Sequence, residues 1–364
     1  MTKIDLNNLD KSTWETFEFE EIAFKISETV DPNKTDLPIY VGLEHLDAED
    51  IHIRRTGTPD DVNGQKLKCY PGDVIFGKRR AYQRKAAIVD FEGICSAHAF
   101  VLRANPEVID PKLFPFFLHS DQFMHRAVDI SVGGLSPTIN WGDLKHQEFL
   151  LPPKDQQEQL AELLWAMDEV IEREKEVYKK NNNYTKSYIH NFFNSLSKQS
   201  KIALGKICTP KQWKTIPIKD LSDEGFLVYG GNGLIGRYNK YTHENSVIAI
   251  ACRGEYCGSI HYTEPKSYVT GNSMCLDNLD LNIFNQKYLF YVLYYSNLNS
   301  IITGSAQPQI IKSDVERFKV SKVDMKVQEE VVLHMDLLWK NNEVIMSKIQ
   351  SSQSLQKSLI NQVF

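Results

Sequence analysis

GSAQPQIIKSDVERFKV, Gly304 to Val320, repeats in outline a stretch found much earlier in the chain, GGLSPTINWGDLKHQEFLLPP, Gly133 to Pro153. Pro137 set against Pro308 gives an offset of 171 residues, at which Gly133 meets Gly304, Ile139 meets Ile310, Asp143 meets Asp314 and Leu144 meets Val315. The same offset carries Phe149 onto Val320, Gln157 onto Gln328 and Glu158 onto Glu329. After a three-residue slip, LLW at Leu163–Trp165 aligns with LLW at Leu337–Trp339, and Val170-Ile171 with Val344-Ile345. Chance agreement between two helix starts would not keep a turn, a strand-like end and a helix in one order. The chain therefore reads as two copies of one plan.

Upstream the echo is looser. DVIFGKRR (Asp73–Arg80) resembles SVIAIACRG (Ser246–Gly254), with Val74 over Val247 and Arg80 over Arg253. LFPFFL (Leu113–Leu118) precedes the first turn as YLFYVL (Tyr288–Leu293) precedes the second. β-branched and aromatic runs punctuated by polar residues, Gly and Pro predict strands: LPIYVGL, KAAIVDF and AHAFVL in the first copy, FLVYGG, SVIAIAC and GSIHYT in the second. PKLFPFFLHSDQFMHRAV and NQKYLFYVLYYSNLNSII predict one short helix in each. This is an α+β class, with the helices grouped late in each copy. The expected division is a first globule over 1–153, a long helix over 154–200, a second globule over 201–325 and a second long helix over 326–364.

The long helices follow from composition and period. The stretch from Lys154 to Leu196 contains no Gly or Pro and is rich in helix formers. Pro152 and Pro153 sit at its start, where a missing N–H costs nothing. Leu160, Leu164, Met167, Ile171 and Tyr178 recur at three- and four-residue steps, and Tyr188 and Phe192 continue the stripe. In the second copy Val332, Met335, Leu338, Ile345, Ile349, Leu355 and Leu359 do the same. Roughly 40 residues at 1.5 Å each make a rod on the order of 60 Å. Such a stripe must be buried, either on its own globule or against the other helix. A two-helix coil holding the globules apart is the reading adopted, antiparallel if the copies lie at opposite ends. Asn181–Asn183 and Asn341-Asn342 interrupt the stripes, either as buried register-setting residues or as exposed ones. VSKVDMKVQEEV lacks the prolines of LPPKDQQEQL, which predicts a looser start to the second helix.

Bulk properties narrow the class. The chain has 364 residues, 42% of them apolar, enough for sizeable cores. No apolar run reaches membrane-spanning length, so no membrane partner is expected. The first residues, MTKIDLNNLDKSTWE, read as an exposed lead-in without the apolar core of a signal peptide. Six cysteines without framework spacing read as reduced thiols of a cytosolic protein. A net charge of −5 argues mildly against a free-standing nucleic-acid binder, yet a local basic surface on an acidic protein still meets phosphate.

Catalytic and cofactor motifs fare poorly. GNGLIG at Gly231–Gly236 fits a dinucleotide pattern, but a strand-like segment follows it instead of a helix, so it reads as a hairpin turn. Cys252, Cys257 and His261 lack a second compact ligand pair and read as strand residues, not a metal site. PIYVG (Pro38–Gly42) reads as a plain strand. Phosphate-loop, HExxH and GxSxG patterns are absent, as is the Asp/Asn-Pro-Pro-aromatic motif of an amino-methyltransferase. The informative cluster is KRRAYQRK, Lys78–Lys85: five cations in eight residues with Tyr82 and Gln83 interleaved. Arginine suits guanine, glutamine adenine and lysine phosphate. Arg253, at the aligned place, is followed by GEYCGS, which predicts a smaller and differently charged loop.

YVGLEHL (Tyr40–Leu46), LLPPKDQQEQLAELLWAMDEVI (Leu150–Ile171), YGGNGLIGRY (Tyr229–Tyr238) and RGEYCGSI (Arg253–Ile260), together with the duplication, resemble the specificity subunits of type I restriction–modification systems. The resemblance implies two target-recognition domains reading the halves of a split duplex-DNA site, with the helices as a ruler. It also implies docking of two methyltransferase subunits and recruitment of translocating nuclease subunits, in a bacterial or archaeal cytoplasm. S-adenosylmethionine, ATP and Mg²⁺ then belong to those partners, and this chain carries no catalytic residue, metal or cofactor of its own. The DNA-contacting residues chosen on this basis are Arg54, Arg55, Lys78, Arg79, Arg80, Gln83, Arg84 and Lys85 in the first domain. In the second they are Asn232, Arg237, Arg253, Gln307 and Gln309. Coiled-coil and partner docking falls to Leu160, Leu164, Met167, Ile171, Tyr178, Met335, Leu338, Ile345 and Ile349. A coiled-coil scaffold that binds proteins, and a recognition subunit of a related restriction class, remain alternatives at this point.

Overall fold

In the computed structural model, which describes residues 9–196, 199–304 and 306–364, the chain forms two compact units. One comprises Met1–Glu176 with Ser347–Phe364, the other Val177–Met346. The lead-in before Leu9 lies outside the described residues.

The first unit is built on a four-stranded antiparallel sheet in the order Ala23–Ile26, Phe100–Ala104, Val74–Phe76, Ala86–Ile88. The second has the same order and sense in Thr209–Gln212, Ser273–Asp277, Ile248–Ala251, Ile260–Tyr262. The central strands are continuous apolar runs, VIF and IAIA, because both faces are covered. Each globule is tied off by a two-stranded antiparallel ribbon. Phe149 lies opposite Phe17 in one and Val320 opposite Ile202 in the other, as the 171-residue offset predicts.

A second sheet is shared only in part. Tyr40–Val41 pairs in parallel with Gly93–Cys95, and Phe226–Gly230 does so with Tyr268–Val269. Beyond that shared pair the copies diverge. In the first unit Lys66–Cys69 and Thr29–Val30 add to the Gly93–Cys95 edge. In the second, Gly233–Tyr238 returns as a hairpin on Phe226–Gly230, with GNGLIG running through its turn into the returning strand.

The aromatic helix of the first copy is two helices, Phe114–His119 and Asp121–Asp129. Ser120 splits them: its backbone is extended and its hydroxyl accepts the Phe123 N–H, an N-cap inside what the sequence presented as one run. The second copy has Gln286–Tyr294, capped by Asn285.

The long helices span Lys154–Ser195 and Met325–Val363, and they start at positions 171 residues apart. The missing prolines do not loosen the second start, contrary to expectation. Gln328, fully buried, donates to the Ile283 and Val323 carbonyls and accepts the Asn285 N–H at 2.8–2.9 Å. Gln157 does the same with Val108, Pro152 and Asp110 at 2.7–2.9 Å. One buried amide clamps each helix to its globule. Past the three-residue slip, Trp165 stands edge-on to Phe116 and Trp339 edge-on to Phe290, with ring centroids 5.2 and 5.3 Å apart.

The apolar stripe serves both candidate partners. In the first unit Leu160 and Leu164 join the globule core together with Leu359, Ile360 and Val363 of the second long helix. Gln356 donates to the Leu164 carbonyl and Ser352 to Glu174, so the two helical segments run antiparallel there. In the second unit Met335 and Leu338 share a core with Ile189 and Tyr188. Asn181 donates to Asn342 at 2.8 Å and Asn342 to Asn182 at 3.0 Å, again between antiparallel segments. Asn181, Asn182 and Asn342 are thus partly buried and paired across the helices, the arrangement that fixes a register, whereas Asn183 and Asn341 are exposed.

Candidate nucleic-acid interface

The basic run forms a loop closed at its base and braced along one side. Gly77 N–H donates to Lys85 O, Ile139 N–H to Lys78 O and Arg80 N–H to Pro137 O, at 2.9, 2.9 and 2.7 Å. In the second unit Ala251 N–H donates to Ser259 O, Ile310 N–H to Cys252 O and Gly254 N–H to Pro308 O, at 2.8, 3.1 and 3.1 Å. Isolated bridges join Arg79 to Thr138 and Arg253 to Gln309. These pairs correct the sequence alignment by one residue. Arg253 matches Arg79, not Arg80, and Val74 matches Ile248. The two loops therefore have the same length; the second is not smaller.

Their corners also match. Arg80 and Arg84 adopt left-handed backbone at φ 58° and 52°, where the second copy places Gly254 and Gly258 at φ 78° and 94°. Glycine takes this conformation freely, whereas arginine is strained in it. Tyr82 and Tyr256 occupy one equivalent position and both are exposed.

Two further segments reach each loop through the shared parallel pair. Three residues beyond Val41 and Tyr229 stand Glu44 and Asn232. Just past the partner strands stand Ser96 and His98, and Thr270 and Asn272. In the first unit Glu44, Arg79, Arg80, Gln83, Ser96 and His98 line one open concavity of about 400 Å³. In the second, a Cβ placed on Gly231 would sit within 4 Å of Arg253 O and Asn272 O, so the same three segments converge. The turn Gly133–Thr138 forms the fourth side, with Arg80 Nε donating to Ser136 Oγ at 2.9 Å and Leu135 at its tip 98% exposed. Gln307 and Gln309 lie exposed on the equivalent turn of the second unit. Glu44, Ser96, His98, Leu135 and Asn272 were not identified from the sequence, because only strand pairing brings them beside the basic run. The one available signal was that Glu44 and Asn232 each follow a YVG- or VYGG-type strand end.

Several residues chosen from the sequence are committed elsewhere. Arg54 chelates Asp50 and binds Glu172 of the first long helix through both terminal nitrogens at 2.6 and 2.7 Å. Glu172, hydrogen-bonded foremost by Arg54, is held down to about 2. Arg55 pairs with Asp47 at 2.5 Å. Arg84, whose side chain is 18% exposed, is held by Glu49 at 3.0 Å, Asp121 at 2.7 Å and the His119 carbonyl at 3.0 Å. Lys85 donates to Leu43 O at 2.6 Å. Lys78 lies over the Phe100 ring, and burial, followed by the Lys25 charge, lowers its pKa. Arg237 donates to Gly225 O at 2.8 Å within its hairpin. Arg79 and Arg253 have exposed guanidinium groups without a partner among the described residues.

The stripe residues chosen for docking are spent inside the chain. Leu160, Leu164, Ile171, Met335, Leu338 and Ile349 are buried, and Met167, Tyr178 and Ile345 half-buried. The apolar side chains the long helices expose are others: Leu163, Val170 and the stripe residue Leu355 in the first unit, and Val177, Tyr184, Val327, Leu333, Leu337 and Val344 in the second.

Ligand-type side chains also cluster at His243, Cys275 and Asp277. His243 is engaged with Asp277 at 3.0 Å and Thr242 at 2.8 Å. Asp277 occupies the sheet position that Arg103 fills in the first unit, where Arg103 pairs with Asp73 at 2.7 Å. Both copies thus place an ion-pairing group there, which makes it a structural site. Cys252 is buried beside the Asn272 carbonyl, at 3.2 Å. No helix among the described residues is long and apolar enough to cross a membrane.

A family model described as type I restriction modification DNA specificity domain matches residues 11–183 and again 196–351. Similar curated proteins include the type I restriction enzyme EcoDI specificity subunit of Escherichia coli, 26% identical over 168 residues, 45% of this chain and 37% of that protein. Another is the putative type I restriction enzyme MjaX specificity subunit of Methanocaldococcus jannaschii, 24% identical over 295 residues, 74% of this chain and 66% of the relative. The matches thus span between about a third and two thirds of those relatives' lengths. A crystal structure of a type I restriction-modification S subunit from M. genitalium shares the fold, with a TM-score of 0.68 at 18% identity over 98% of both chains.

Proposed function

This chain belongs to the type I restriction modification DNA specificity domain family, and on that premise we propose that it is the non-catalytic DNA-reading subunit of a type I restriction–modification complex. Its two recognition domains, over about 1–153 and 201–325, each take one half of a split duplex site. The observation that carries this reading is the four-segment surface built twice on one scaffold with different side chains. A common backbone supplies position, and changed loop chemistry supplies a changed sequence preference.

Within that surface Arg79, Arg80, Gln83, Arg253, Asn232, Gln307 and Gln309 are the base-edge candidates. Glu44, His98 and Asn272 join them by position. Arg54, Arg55, Arg84, Lys85 and Arg237 act as struts. Two methyltransferase subunits dock on the exposed apolar positions of the long helices, and nuclease–translocase subunits join through them. The methyl donor S-adenosylmethionine, and ATP with Mg²⁺, are carried by those subunits. The long helices set the spacer between half-sites.

The test is to co-express the full chain with its methyltransferase subunit and map methylated adenines across the host genome. A two-part motif with a fixed, unspecified spacer is expected. A continuous motif, or methylation that does not depend on this chain, would overturn the reading.

A further inference from the structure

We infer that Arg79 and Arg253 are equivalent readers, each taking a guanine at the corresponding place of its own half-site. This rests on the function proposed above and assigns to it a base and two residues.

Three observations carry it. First, of the arginines chosen from the sequence only these two leave the guanidinium unpaired among the described residues. A guanidinium already held by carboxylates, as in Arg54 and Arg84, would have to give up an ion pair to present its fork to a base. Second, the backbone at both is fixed on both sides. The residue before each accepts from Ile139 or Ile310, the residue after donates to Pro137 or Pro308, and the arginine itself bridges to Thr138 or Gln309. A reader must be held to within a fraction of an ångström, and this bracing supplies that. Third, the flanking corners are left-handed in both copies, which is a costly feature to keep in the first, where arginines occupy them. Apart from Tyr82 and Tyr256 the remaining loop positions differ between copies, as Gln83 does from Cys257 and Lys85 from Ser259. The half-sites therefore differ around one shared guanine. Arginine meets guanine through two parallel N–H donors on O6 and N7, presented by one rigid planar fork.

The experiment is a residue-by-base cycle on the complex with the methyltransferase subunit. The motif is first mapped with the unmodified chain; absence of any split motif defeats the functional proposal itself and is thereby told apart from failure of this one. Each guanine of the motif is then replaced in turn by 7-deazaguanine, and duplex binding is measured by competition. One guanine in each half should cost about tenfold in affinity on losing its N7. Arg79→Ala should erase that sensitivity in one half only, and Arg253→Ala in the other. Because both side chains are exposed and unpaired, unchanged melting temperatures are expected and are checked alongside. The inference is overturned if no guanine is sensitive, if the sensitivity survives the alanine variants, if either variant affects both halves, or if an alanine variant loses affinity equally on every duplex, which would mark a phosphate contact.

Discussion

The loops at residues 78–85 and 252–259 share length, closure and corners, yet only one is strongly basic. The second meets its left-handed corners with glycine and packs Gly258 near Ile302 and Leu298. The first meets them with arginine and holds Arg84 with two carboxylates and a carbonyl. Those carboxylates are themselves tied to the second long helix, Glu49 to Lys357 at 2.6 Å and Asp121 to Asn361 at 2.6 Å. One backbone problem has two physical solutions, conformational freedom in one copy and an ionic strut in the other. Charge in such a loop therefore divides into paired supports and unpaired side chains, and sequence alone does not separate them.

The largest expected effect tests whether the copies are equivalent below the loops. Gln157→Ala and Gln328→Ala each strand two carbonyls and one N–H that are buried or half-buried, which costs about 3 kcal/mol. The two losses, read by denaturant unfolding, should agree within about 1 kcal/mol. A loss below about 1 kcal/mol for one of them would break the equivalence of the helix starts.

An intermediate effect probes the corners. Gly258→Arg forces a side chain onto φ 94° with its Cβ 3.0 Å from Ile302 Cδ1, and should destabilise the second unit by about 2 kcal/mol. Arg84→Gly removes the strut but relieves the strained backbone, so its net cost should stay below about 1.5 kcal/mol. Equal costs would mean that the corners are not the same structural problem.

The fold was legible where physical signals are local. The turn, the ribbon and the helix start at the 171-residue offset, the buried Gln157 and Gln328, and the tryptophan slip were all visible as matched residues. The strand before the loop was misread by one residue because Val74 and Val247 are alike and nothing in an apolar run fixes its register. Hydrogen bonds across the sheet fix it, and those partners lie far away in sequence. The site was legible only in outline. KRRAYQRK marked a loop whose backbone the second copy repeats, but the acids that neutralise Arg84 lie at positions 49 and 121, and the one that holds Arg54 lies at 172. Likewise the stripe residues chosen for docking were the ones the chain buries itself, since periodicity identifies an apolar face and not what covers it.

The smallest effect sharpens the point at which the copies diverge. After Asn232 the chain returns as a hairpin strand, whereas after Glu44 it continues into a segment strapped to the first long helix by His52–Asp168 at 2.8 Å and Arg54–Glu172. The hydrogen bond that His52 donates to Asp168 raises the His52 pKa above 6.5, against the opposing effect of burial. A pKa raised by folding adds stability that is fully present below the unfolded value near 6.5 and is lost as pH rises through the folded value. Glu172 has the opposite sign: its contribution is present above 4.5 and is lost as pH falls towards about 2. The first unit should therefore lose stability through this strap as pH rises from 6.5 through the folded value of His52. His52→Gln should flatten that slope without altering the acid limb set by Glu172. Denaturant titrations of both proteins across that range decide it: an unchanged alkaline slope in the variant would show that the strap does not carry the titration, and that the divergence after Glu44 is one of shape alone.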